Sequence, residues 1–153
     1  MADWEKAQSL AVRWKTLEPT SLQATAGAVL TRQPDGSILA SGTSPHQSVY
    51  TIATETDLTD ISGLRLEVLP NEGLPSRGPG RAPDGNFVLT EMEVLAAPKA
   101  DPKQVKPVKL QTPLADFSQK GYSVAAAIDG GGSSSFGIMT ATSVHGCFPR
   151  ILF

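Results

Sequence analysis

Cysteine, histidine and long apolar runs are scarce in this chain, and each scarcity excludes a class of protein. Cys147 is the single cysteine, so an internal disulfide is excluded, and His46 and His145 are the only histidines that could join it in a zinc site. We therefore expect no metal and no cofactor. No segment approaches the roughly 20 apolar residues of a membrane-spanning helix, and the opening MADWEKAQSL has no apolar signal-peptide core. We expect no membrane partner, and the cellular location stays open.

Charge is also sparse. Charged residues make up 18% of the 153 residues and the formal net charge is −2, so no electrostatic footprint for nucleic acid or anionic lipid is present. Lys99, Lys103, Lys106 and Lys109 cluster, but prolines and Asp101 interrupt them, as is typical of a solvated loop. A chain of this length is expected to bury a self-sufficient core.

Two segments, residues 63–69 and 87–94, show the period-2 alternation of a strand with one buried and one wet face. We expect both to be core strands of one antiparallel sheet, with Glu91 and Glu93 facing solvent. As neighbours they would place Arg65 opposite one of these glutamates. The residues expected to be buried are Leu64, Leu66, Val88, Met92 and Val94.

Weaker patterns predict the remaining elements. Residues 28–32 and 37–40 flank Gln33-Pro34-Asp35-Gly36, in which proline presets a turn and glycine supplies positive φ, so a hairpin is expected. Residues 48–54 predict a strand. Residues 3–14 predict a short amphipathic helix, 57–62 one helical turn, 108–114 an edge strand and 124–128 either a strand or a helical turn.

The loop between the two core strands, residues 70–86, is the candidate site. It is too long for an ordinary hairpin, and its four prolines and four glycines favour an ordered course with sharp reversals. The loop is either a recognition surface or a lid over one end of the sheet. The candidate ligand-binding residues are Arg77, Arg81, Asp84 and Asn86.

Catalytic patterns are not evident. Neither His46 nor His145 lies in a recognisable motif, and Glu67, Glu91 and Glu93 are expected on a solvated face, where a carboxylate lacks the raised pKa of a general acid. The glycine-rich segments at 78–81 and 130–132 do not open helices as phosphate loops do. Trp4 and Trp14 either anchor the N-terminal segment or stack on a sugar ring. We expect no catalytic residues and no enzyme.

Eight short segments between residues 4 and 130 carry a family resemblance: VRW at 12–14, LEP at 17–19, PDGSILASG at 34–42, ISGLRLEVLP at 61–70, GPGR at 78–81, GNFVLTE at 85–91, ADFSQ at 115–119 and AIDG at 127–130. Together they resemble the β-sandwich insert of large planctomycete-type cytochrome c proteins, exported chains in which this module lies among paired domains of unknown function. The resemblance implies an all-β fold, an antiparallel jelly-roll β-sandwich similar to galactose-binding-like and discoidin-like domains, whose ligand loops lie at one end of the strands.

We expect three units: a connector helix at 1–16, a β-sandwich module at 17–129 and a divergent or truncated segment at 130–153. In the family a Gly-Trp pair and further strands follow, whereas Phe136-Gly137 stand in that place here. We expect a fragment of a larger protein whose sandwich is incomplete at the C-terminus and exposes an edge. The alternative is that residues 136–144 and 151–153 supply the missing pairing themselves.

The function that follows is a non-catalytic module that binds a ligand such as a carbohydrate, or neighbouring domains of a parent protein. A purely structural inter-domain spacer is the alternative, and a small hydrolase is the third. A fold of this kind does not by itself identify a ligand.

Overall fold

The computed structural model of the chain describes residues 14–130, 140–142 and 150–152, and the described chain is all-β. Its elements are strands and two 3₁₀ turns, at Pro75–Arg77 and Val124–Ile128. In these stretches no helix has the length and apolar character to cross a membrane. The strands are β1 Pro19–Ala24, β2 Ala28–Arg32, β3 Ile38–Gly42, β4 Val49–Thr54, β5 Arg65–Glu67, β6 Glu91–Ala96, β7 Lys106–Val108, β8 Thr140–Thr142 and β9 Arg150–Leu152.

The strands form three antiparallel sheets. The largest has five strands in the order β1-β4-β8-β6-β7, so β8, from the last part of the chain, lies between β4 and β6. The strands β2 and β3 form a second sheet, and β5 pairs with β9 in a third. Pairing between segments distant in sequence therefore dominates the architecture.

The predicted β2–β3 hairpin is confirmed. The backbone N–H of Gly36 donates to the carbonyl of Gln33 at 3.0 Å, and Gly36 has a φ of 82°, which glycine adopts without a steric penalty. The Asp35 carboxylate accepts the backbone N–H of Ser37 at 2.9 Å and so closes the turn from its inner side. Local turn chemistry therefore sets the register that pairs Arg32 with Ile38.

The core lies between the hairpin and β4. Its buried members are Ala28, Ile38, Ala40, Tyr50 and Ile52. On β4, Tyr50 and Ile52 are buried while the intervening residues are half-buried, which confirms the strand predicted at 48–54. Side chains of β1, β5, β6 and the segment before β6 pack around this cluster.

The two segments expected to be neighbouring core strands belong to different sheets, so that prediction is wrong. The strand β5 pairs with β9, and β6 pairs with β8 and β7. Arg65 consequently faces neither Glu91 nor Glu93. Its guanidinium lies 2.5 Å from the carboxylate of Glu67 on the same strand and 5.8 Å from the ring centroid of Trp14. Residues two apart share a face of a strand, which accounts for the Arg65–Glu67 contact.

Burial around β6 also differs from the prediction. The five apolar residues expected to be buried are half-buried, and Leu64, Leu66 and Val94 among them pack against the core. Glu91, expected in solvent, is 3% exposed and has an interaction partner. The first five residues of β6 are all buried or half-buried, so the strand has no single wet face. An alternating pattern predicts which side chains are buried and which are exposed only where one face of the sheet is solvated.

The ends of the chain bear on the remaining predictions. A helix was expected at 3–14. Residues 3–13 lie outside the described part of the chain, and Trp14 is not helical. The segment 57–62 has no helical turn, and residues 124–128 form a 3₁₀ turn. The edge strand expected at 108–114 is β7, which lies earlier in the chain, at Lys106–Val108. After residue 130, β8 and β9 do pair with β4, β6 and β5. The division into three units stays a prediction.

Shortening a core side chain tests the position of the core. Ile38→Ala removes buried methyl groups from the cluster around Tyr50 and leaves a cavity, so we expect the free energy of unfolding to fall by about 2–5 kcal/mol in urea denaturation. The matched control is Val29→Ala on the neighbouring strand, whose side chain is exposed and should cost less than about 1 kcal/mol. Equal losses for the two variants would contradict this core.

Candidate functional site

The long loop at 70–86 is ordered by contacts within itself. The backbone N–H of Gly80 donates to the carbonyl of Gly85 at 2.8 Å, and the Ser76 hydroxyl donates to the carbonyl of Pro83 at 3.2 Å. At Gly78 an added Cβ would collide with the Gly85 carbonyl, so the two backbones approach as closely as only glycine permits. Leu74 is buried. The loop is thus a compact surface structure, as its prolines and glycines predict.

Arg81 fastens this loop to the rest of the fold. The Nη2 group donates to the backbone carbonyls of Gly42 at 2.7 Å and Thr43 at 2.6 Å, and Nη1 donates to the hydroxyl of Tyr50 at 3.3 Å. Only 9% of the residue is exposed. One side chain therefore joins the loop to the end of β3 and to the core tyrosine of β4.

The segment that receives Arg81 is itself fixed. The Thr43 hydroxyl donates to the carbonyl of Ala26 at 2.5 Å, and its backbone N–H donates to the carbonyl of Gly27 at 3.0 Å. The Thr25 hydroxyl accepts the backbone N–H of Val49 at 2.9 Å. Hydrogen bonds therefore cross-link the turn at 25–27, the turn after β3 and the long loop, close to Val49, where β4 begins.

An open cleft lies between two of these loops, with a volume of about 530 Å³. Asp84 and Asn86 line it from the long loop, and the Asp84 carboxylate accepts the backbone N–H of Asn86 at 3.0 Å, which fixes the turn between them. The full lining is Ser44, His46, Arg81, Ala82, Pro83, Asp84, Asn86, Phe87 and Val88. The lining therefore combines polar side chains with the apolar residues Ala82, Pro83, Phe87 and Val88.

Three of the four candidate residues meet in this cleft. Arg81, Asp84 and Asn86 line it, whereas the exposed Arg77 does not. Two further lining residues, Ser44 and His46, were not among the candidate ligand-binding residues predicted from the sequence. Both lie in the turn after β3, and the sequence gives no pattern that would pair this turn with residues 81–88.

The cleft combines a mostly apolar lining with a few polar groups. Arg81 provides N–H donors, Asp84 carboxylate acceptors, Asn86 both kinds of group and Ser44 a hydroxyl. Among the described residues no group of three or more His, Cys, Asp and Glu side chains could hold a metal ion.

An exposed ion pair outside the cleft shifts two pKa values. The Lys99 ammonium donates to the Asp57 carboxylate at 2.8 Å, which lowers the pKa of Asp57 below its ordinary value and raises the pKa of Lys99. Neither residue lines the cleft. The pair ties the chain after β6 to the chain after β4.

Comparison with protein-family models, with curated proteins and with solved structures finds no match for this chain.

Removing the Arg81 guanidinium should loosen the loop. Arg81→Met leaves the carbonyls of Gly42 and Thr43 without this donor, so we expect a loss of about 1–3 kcal/mol in the free energy of unfolding. Hydrogen exchange at Gly80 and Gly85 should accelerate together with it. Arg77→Met, at an exposed position of the same loop, should change stability by less than about 0.5 kcal/mol. Unchanged exchange in the Arg81 variant would contradict the fastening role.

Proposed function

We propose that this protein is a non-catalytic binding module that takes a hydroxyl-rich ligand, a carbohydrate, in the cleft lined by Arg81, Asp84 and Asn86. The observation that carries the proposal is the meeting of these three loop residues in one open cleft of about 530 Å³. That volume falls within the range of small-molecule sites, roughly 300–1,000 Å³.

The chemistry of the lining suits a sugar. Hydroxyl groups both donate and accept hydrogen bonds, and the cleft supplies acceptors at Asp84, donors at Arg81 and both at Asn86. Phe87, which is half-buried, adds an apolar surface for the C–H face of a ring.

Order in the loop supports binding as well. The turn at Asp84 is closed by its own carboxylate, and Arg81 is held by three oxygen atoms, so little conformational entropy is lost when a ligand arrives. A loop that is rigid before binding favours recognition by preformed geometry.

We further infer that the sheets pack as a jelly-roll β-sandwich of the galactose-binding-like kind, with the cleft at the loop end. The shared burial of Ala28, Ile38 and Ala40 from one sheet with Tyr50 and Ile52 from another supports this packing. Domains of this kind bind ligands at one end of their strands, and the cleft, beside the turn after β3, lies at a strand end as well.

Binding to saccharides tests the proposal. Screening on a glycan array followed by isothermal titration calorimetry should identify a saccharide ligand, and Asn86→Ala or Asp84→Ala should weaken its affinity about 2–10-fold through lost hydrogen bonds. Arg77→Ala, on the same loop but outside the cleft, should leave affinity unchanged. If the Arg77 variant loses as much affinity as the cleft variants, the site lies elsewhere.

A second candidate function is that of an inter-domain spacer, and a separate observation favours it. Leu114 and Phe117 are 88% and 81% exposed, and Tyr122 is exposed on the same irregular stretch. Lys103, Lys106 and Lys109 are exposed nearby in sequence. A contiguous exposed apolar patch marks a contact surface; we infer that these three side chains form one, and the lysines fit a neighbouring domain with an acidic face.

Self-association of the isolated chain tests this second candidate. Without a neighbouring domain, the apolar side chains should bring copies together, and sedimentation velocity should show oligomers that increase with concentration. The triple variant Leu114→Ser, Phe117→Ser, Tyr122→Ser should sediment as a monomer. Val29→Ser, which removes an exposed apolar side chain on β2, should not change the association. A wild-type chain that stays monomeric at every concentration would remove the support for a spacer.

A further inference from the structure

The buried guanidinium of Arg81 is balanced by neutral groups. Its partners in the described part of the chain are the carbonyl oxygens of Gly42 and Thr43 and the hydroxyl of Tyr50. The ion pairs among residues 14–130 are Arg32 with Glu18, Arg65 with Glu67 and Lys99 with Asp57, and none of them includes Arg81. A full positive charge, 9% exposed, therefore lines the cleft with no carboxylate paired to it in the described part of the chain.

Such a charge favours an anionic ligand. Taking a cation out of water is costly unless an opposite charge or a full set of hydrogen bonds compensates it. Arginine has five N–H donors, and the three contacts to described residues leave two of them for another acceptor. A carboxylate accepts a hydrogen bond from a guanidinium N–H more strongly than a neutral hydroxyl does, because the bond is charge-assisted.

The opposite requirement holds at Asp84. This exposed carboxylate has one oxygen occupied by the backbone N–H of Asn86 and lines the same cleft. It repels a ligand carboxylate and accepts a ligand hydroxyl. A ligand that suits both places carries an acidic group for Arg81 and hydroxyl groups for Asp84 and Asn86.

We propose that the cleft selects acidic saccharides, those containing a uronic acid, whose carboxylate supplies the counter-charge of Arg81 while ring hydroxyls bind at Asp84 and Asn86. This inference rests on the proposed carbohydrate-binding function and names its ligand class.

The test compares two matched ligands with the full chain. Galacturonic acid oligomers and galactose oligomers of the same length are titrated calorimetrically at low and moderate salt, about 0.02 M and 0.3 M. The acidic ligand should bind about tenfold tighter at low salt because a charge-assisted hydrogen bond replaces a neutral one. The ratio of the two affinities should fall at the higher salt concentration, since the cleft is open and the charges are partly screened.

The variant Asp84→Asn tests the effect of the Asp84 charge without disturbing the turn. The amide oxygen of asparagine can still accept the Asn86 N–H, so the turn is retained while the like charge is removed. This variant should tighten binding of the galacturonic acid oligomer about 2–5-fold, as expected for loss of one partly screened repulsion, and leave the galactose oligomer nearly unchanged. Asp101→Asn is the matched control, because Asp101 also accepts a backbone N–H two residues on, from Lys103, and does not line the cleft.

The outcomes distinguish the two proposals. Equal affinity for the acidic and neutral ligands overturns the selection of acidic saccharides and leaves the carbohydrate-binding function standing. If Asp101→Asn tightens acidic binding as much as Asp84→Asn, the effect comes from net charge and the assignment to this cleft is overturned. If neither ligand binds, both proposals are overturned for this class of saccharide.

Discussion

The hydrogen bonds of one arginine hold the candidate site together. Arg81 reaches from the long loop to the carbonyl oxygens of Gly42 and Thr43 and to the Tyr50 hydroxyl at the edge of the core. Hydrogen bonds to a charged group are about twice as strong as neutral ones, so a single side chain can order a loop that has little regular structure. These hydrogen bonds join the loop to the turn after β3, and the cleft is lined from both segments.

Local chemistry allowed the sequence to predict part of this fold. Pro34, Asp35 and Gly36 specify a turn through their own backbone preferences, and the hairpin followed. The β-branched and aromatic residues at 48–54 predicted a strand, and Tyr50 and Ile52 on it are buried. The ordered course of the long loop followed from proline and glycine in the same way. Each of these features depends on residues close to one another in sequence.

The rest depends on contacts that no local pattern encodes. Nothing near Arg65 indicates that β5 pairs with residues 150–152, and β1 was missed because Pro19–Ala24 is mostly polar and has weak alternation. Arg81 was predicted as a ligand-binding residue on an exposed loop, yet its carbonyl partner at Gly42 lies 39 residues earlier. Asp84 and Asn86, which were predicted as candidates, lie in one local turn, whereas Ser44 and His46 join the cleft only through folding.

Because β8 lies between β4 and β6 but is synthesised after both, the central sheet cannot be completed until late in synthesis. The ribosome delivers β4 and β6 well before Thr140–Thr142, the strand that separates them in the sheet. At about 5–20 residues per second, the nascent chain spends several seconds with the facing sides of both strands unpaired. Backbone amides on those sides would then be open to chaperones or to a second nascent chain on the same messenger RNA. Completion of the five-stranded sheet is therefore a late, long-range step, of the kind that slows folding.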